Sequence, residues 1–235
     1  LTSPTQAARS DKNCKQPTHS ASATIGNNIN SSKRGNKTPV CCSPAPALQR
    51  LTAIFFISGF SALIYQVCWQ RMLFTGFGVD LTSITMIVSV FMAGLGIGAF
   101  FGGRIADWFP NKIITIFCLI EMGIGLFGLI SYSMIMGLQH TLIHANTFLL
   151  GIATFLLLLF PTFLMGATLP LLTSYFNQFI TNIGESIGTL YFYNTLGAAL
   201  GALATGFVLF NYLTLSQSTY LAASLNIFIS ILIFV

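Results

Sequence analysis

The stretch Gly94 to Ala99, GLGIGA, fits the spacing G-x-G-x-x-A of a dinucleotide-binding turn. Such a turn needs a strand before it and a helix N-terminus after it, so that free backbone N–H groups face the pyrophosphate. Neither is available here. No charged residue occurs from Leu81 to Gly103, and about 20 apolar positions are what a helix needs to cross the hydrocarbon layer. Inside such a helix Gly94, Gly98 and Gly102 are each four apart and line one face, where a second helix can approach backbone to backbone. Gly197 and Gly201 repeat that spacing further on. No cofactor and no nucleic-acid partner are expected. His140 and His144 have a spacing that could chelate a metal on a helix, but no carboxylate or cysteine accompanies them. The five cysteines show no C-x-x-C pair, so the reading is no metal and no disulfide framework.

Ionisable groups inside a membrane are costly, and Glu121 is therefore the first functional candidate. It lies nine residues past Lys112, about 13 Å along a helix at 1.5 Å per residue. Asn194 lies nine past Glu185. Two helices running the same way would bring Glu121 and Asn194 to one depth, with Tyr191 or Tyr193 as further partners. Two readings stand: a structural polar clasp, and a cation or amine site facing a cavity. Tyr65, Gln66, Trp69, Gln70 and Arg71 read as an aromatic and polar rim near the outer end of the first helix. Arg104, Asp107 and Lys112 read as an interfacial charge cluster, and Glu185 as the interfacial start of the fifth span.

The elements that must position these groups are long apolar helices. Charged residues make up 6% of the chain and hydrophobic residues 54%, against about 25% charged in soluble domains. That composition excludes a soluble globular enzyme and points to an all-α, multi-pass bundle in a lipid bilayer. Residues 1 to 50 hold seven of the ten Lys/Arg, with Asp11 as the one acid, and are rich in Ser, Thr and Asn. Such a segment reads as a disordered basic arm, with a transit peptide or palmitoylation at Cys41-Cys42 as alternatives. From Leu51 to Val235 six spans are expected: 51–70, 81–103, 113–136, 147–172 (kinked or broken at Pro161 and Pro170), 187–210 and 215–235.

Cation placement orients the chain. With the arm in the cytoplasm, Arg104 and Lys112 are cytoplasmic too, and Arg71 is the one cation outside. Both termini are then cytoplasmic and the membrane is the inner, cytoplasmic one. The second span, GLGIGAFFGG, and the fifth, TLGAALGALATG, occupy matching places in two sets of three helices. An inverted 3+3 repeat would produce this, and so would the need of any tight bundle for small residues.

Three segments, SGFSALIYQVCWQRML at 58–73, PTFLMGATLPLL at 161–172 and GTLYFYNTLGAALGALATGF at 188–207, resemble the membrane region of the spermidine synthase-like integral membrane proteins of the fused facilitator/spermidine synthase type. The loop GGRIADWFPNK also resembles the facilitator signature: Gly103, Asp107 and Lys112 match it, while Trp108 and Pro110 depart. The resemblance implies, in complete members, a soluble aminopropyltransferase domain after the last helix that joins decarboxylated S-adenosylmethionine to putrescine. The sequence ends at Val235, so no catalytic residue is assigned and these residues are not expected to make spermidine. Two functions follow as expectations. One is an anchor, accessory or scaffold module with a protein partner or as a homo-oligomer; the other is a six-helix half-transporter for a small cation or polyamine.

Overall fold

A computed structural model describes residues 45–78, 80–142, 147–180 and 182–234. Residues 1–44, with Cys41, Cys42 and most of the basic arm, lie outside the described residues, as does His144. The described chain is helical, with no strand. Long uncharged runs dictate this, because in lipid every backbone N–H and C=O must be satisfied within its own segment. The helices are α1 (Ala45–Phe77), α2 (Asp80–Trp108), α3 (Ile113–Leu142), α4 (Thr147–Phe176), α5 (Ile183–Ala204) and α6 (Leu215–Phe234). A π-turn over Thr205–Leu209 and one more turn, Phe210–Tyr212, prolong α5. All six are long and apolar enough to cross a membrane, and large apolar side chains such as Met92, Leu119, Leu156 and Phe207 face outward.

Two details depart from the sequence reading. The first span does not end at Gln70: α1 runs on to Phe77, because Arg71 is accommodated with its guanidinium 5.8 Å from the Phe210 ring centroid, a cation–π placement that needs no helix end. The second is α4, which is not broken at Pro161 and Pro170 but runs as one helix from Thr147 to Phe176. Packing along α2 holds it, and tertiary contacts override the local cost of a proline. Gly78 joins α1 to α2 at φ 68°, a left-handed conformation that favours glycine. Asn182 caps α5 by accepting from the Glu185 N–H at 3.4 Å.

Helices α2 and α4 pack together, as do α1 and α5, and α3 packs on α6. The first two crossings are built alike. A side chain at Gly98 would strike the Phe163 backbone, one at Gly102 the Ala167 backbone, and one at Gly166 the Leu95 backbone. In α1 and α5 the same relations join Gly197 to Phe56, Gly201 to Phe60, and Gly59 to Asn194. The spacing from Phe56, Gly59 and Phe60 to Phe163, Gly166 and Ala167 is constant, and so is that from Leu95, Gly98 and Gly102 to Asn194, Gly197 and Gly201. The contacts of α4 and α5 thus repeat those of α1 and α2, as an inverted 3+3 repeat would produce.

A candidate polar site inside the bundle

Helix α1 carries the site, because its residues meet Glu121 on α3 and Asn194 on α5. Along α3 it runs in a fixed register. Ser58 pairs with Glu121, the Tyr65 ring covers Gly128, Trp69 pairs with Ser131, and Thr75 with Gln139. Steps of seven, four and six residues along α1, and of seven, three and eight along α3, keep one face of each helix toward the other.

Glu121 is fully buried. Its Oε1 accepts from the Ser58 hydroxyl at 2.6 Å, and its Oε2 has no hydrogen-bond partner among the described residues. The Tyr65 hydroxyl is likewise buried without a described partner. One turn along α1, the Ser61 hydroxyl lies 2.9 Å from the Ser58 carbonyl and also bonds the buried carboxamide oxygen of Asn226 on α6. Two side-chain pairs, Ser58–Glu121 and Ser61–Asn226, therefore join α1 to α3 and to α6 one turn apart. Buried polar groups without partners are uncommon and mark places with a further role.

On the other side of α1 lies a recess of about 120 Å³ between α1, α2, α4 and α5, walled by Ser58, Gln66, Phe91, Met165, Thr168 and Asn194 among others. Ser58 belongs to both features. The Thr168 hydroxyl lies 2.7 Å from the Met165 carbonyl of its own helix and donates to it. A wider groove of about 500 Å³ between α2 and α4, lined by Met86, Phe148 and Phe155 among others, has no titratable side chain on its walls.

Several expected placements change. Glu121 is clasped by Ser58 and not by Asn194, which lies against Gly59 on the α5 side of α1. Spacing along each helix could not tell that α1 would stand between the two. Tyr191 and Tyr193, 60% and 40% exposed, point away from both. Tyr65 and Trp69 are each fully buried within the bundle, and α1 extends beyond them to Phe77. Their rings stack at 5.0 Å, and the Trp69 indole N–H donates to Ser131 Oγ at 3.2 Å. Gln66 faces the recess. Arg104, Asp107, Lys112 and Glu185 are exposed. Arg104 lies over the Phe100 ring at 4.3 Å, and the Gln178 side chain, in the turn after α4, donates to the Pro110 carbonyl of the α2–α3 loop at 3.2 Å. Gly94, Gly98 and Gly102 face α4, and Gly197 and Gly201 face α1. Among the described residues no His/Cys/Asp/Glu group could hold a metal.

Ser58, Ser61, Thr168 and Asn226 were not singled out in the sequence. Asn226 could have been, since an amide within an apolar span is costly unless paired. The serines and threonine carry no such signal, because they satisfy themselves on backbone carbonyls in any helix.

No family model and no solved structure matches this chain. A curated polyamine aminopropyltransferase of Corynebacterium efficiens is 26% identical over 171 residues, covering 71% of this chain and 31% of that protein. The chain thus spans about a third of that relative's length. Residues 1 to 50 are too few to supply the match, so most of it falls on the six helices. The chain is similar, weakly and in part, to a polyamine aminopropyltransferase, and the similarity lies in apolar helices that fit a membrane module.

Proposed function

We propose that residues 51–235 are the membrane module of a spermidine synthase-like protein, serving as the anchor or scaffold for a soluble aminopropyltransferase-type partner. The observation that carries this reading is that the stretch shared with the aminopropyltransferase of Corynebacterium efficiens must fall mainly on the helices. In this reading both ends of the module face the cytoplasm, beside the pool of soluble substrates, and the membrane is the cytoplasmic one. The inside bias of nine of the ten cations supports that orientation. The test is to co-express the chain with a soluble aminopropyltransferase of the resembled type. The partner should move to the membrane fraction and co-elute with the chain in mild detergent; a partner that stays in the soluble fraction would end the anchoring reading.

A second reading is a half-transporter of facilitator type, moving a small cation or polyamine after pairing with another six-helix unit. The inverted repeat and the polar recess between α1, α2, α4 and α5 favour it. Uptake of labelled putrescine into proteoliposomes holding the chain would support it. Uptake no faster than into empty vesicles would remove it.

A further inference from the structure

We infer that Glu121 is a proton-binding site inside the bundle, a neutral carboxylic acid whose Oε1 accepts from Ser58 and whose Oε2 carries the proton. A match between the two halves of the bundle carries the inference. Cys118 on α3 meets Ser230 on α6, and Gly125 on α3 lies against Ala223 on α6. The spacing from Cys118 to Ala223 equals that from Gly125 to Ser230, so α6 answers to α3 as α4 does to α1. At that same spacing Glu121 corresponds to Asn226. At the spacing that relates Phe60 to Ala167, Ser61 corresponds to Thr168. Those two hydroxyls behave alike: Ser61 donates to the Ser58 carbonyl at 2.9 Å and Thr168 to the Met165 carbonyl at 2.7 Å. A carboxyl and a carboxamide thus occupy equivalent buried places in the two halves.

The place filled by a neutral amide in one half offers no counter-charge in the other. Glu121 and Asn226 are both buried, and each is met by a serine of α1. Every described Arg, Lys and His is exposed. Helices α4 and α6 contain no Asp, Glu, Lys, Arg or His. The titratable groups around Glu121 are Tyr65 of α1, whose hydroxyl is buried without a described partner, and Cys118 on its own helix, which bonds Ser230. An ionised carboxylate so placed keeps a full charge with no cation, and a buried group in that position neutralises instead. Ser58 donates at 2.6 Å to Oε1, which leaves Oε2, with no described partner, to hold the proton. Loading the site moves one proton from water to Oε2 and breaks no other bond. Glu121 is the one buried Asp or Glu among the described residues, so the helices hold one such site. It stands whether the chain anchors a partner or carries a solute, and its test depends on neither.

Infrared spectroscopy of the full chain in detergent at pH 7 tests the site through the carbonyl stretch of a protonated carboxyl, which lies apart from the carboxylate and amide bands. Carboxyls in water ionise at about pH 4, so such a band at pH 7 reports a buried acid. The wild type should show it. The band should shift when the chain is made with glutamate labelled with heavy carbon at its side-chain carboxyl. That label reaches Glu121 and Glu185 alone, and Glu185 is exposed. Glu121→Gln keeps an acceptor for Ser58 and should lose the band, whereas Asp107→Asn, at an exposed carboxyl, should keep it. Ser58→Ala removes the donor from Oε1 and should move the band to higher frequency. Each variant is checked for wild-type helicity and elution, and the isotope shift makes the assignment in the unaltered protein. No band at pH 7, a band that the label leaves unmoved, or one that persists in folded Glu121→Gln would overturn the site. A band unmoved in folded Ser58→Ala would overturn the placement of the proton on Oε2.

Discussion

Replacing Gly98 by alanine should damage the bundle, whereas the same change at Gly96, two residues away, should not. A Cβ at Gly98 would stand 2.9 Å from the Phe163 carbonyl carbon and 3.0 Å from the Gly166 Cα, and closer still to the Phe163 oxygen. Carbon atoms pack best at about 3.5–4.0 Å, so α2 and α4 must part by about 0.5–1 Å, which forfeits a quarter to a half of each contact's dispersion energy. These obstacles are backbone atoms and cannot rotate aside. Overpacking of this kind costs about 1–3 kcal/mol, and the length of the α2–α4 contact puts Gly98→Ala at the upper end. A Cβ at Gly96 would meet nothing within 4 Å, and the better helix propensity of alanine is worth up to about 1 kcal/mol in the stabilising direction. Reversible unfolding in mixed dodecyl maltoside and SDS micelles, followed by far-UV circular dichroism, measures both. Equal midpoints for the two variants would refute the reasoning, because the close approach is then absent.

The inverted repeat predicts that Gly197→Ala, facing the Phe56 backbone, behaves like Gly98→Ala in the same assay, and that Gly206→Ala, with nothing near it, behaves like Gly96→Ala. Ser131→Ala should cost about 1–3 kcal/mol, since it leaves the buried Trp69 N–H without its acceptor; an unchanged midpoint would show that this bond is not made. In a chain whose Cys14, Cys41 and Cys42 are replaced by serine, a cysteine at His140 should react with an impermeant maleimide from outside the cell and one at Asp107 should not. Cys68 and Cys118 are buried and should stay silent in both, and labelling at Asp107 from outside would reverse the orientation.

The sequence reading reached the helices and their faces more surely than the site. Six spans were legible because charge is absent over whole runs, and the glycine face of α2 because four-residue spacing survives any neighbour. Helix ends were less legible: the apolar run stops at Gln70-Arg71, yet α1 continues past it to Phe77, with Arg71 over the Phe210 ring. Glu121 was identifiable as a costly group. Its partner was not, because depth along one axis says nothing about which helix stands between two residues, and Ser58 looks like any serine in an apolar run. The repeat was visible only as two glycine-dense segments; its register needed the matched contacts of Gly59 and Gly166.

The reading of this chain as the membrane module of an aminopropyltransferase-type protein is tested most directly by following activity through purification. The chain, tagged and extracted in mild detergent from cells that make it, should carry the conversion of putrescine and decarboxylated S-adenosylmethionine to spermidine. The 235-residue chain purified to homogeneity should not, because apolar helices with one buried carboxylate provide no groups positioned around both reactants. Activity that never accompanies the extracted chain, or that persists in the homogeneous chain, would contradict the account.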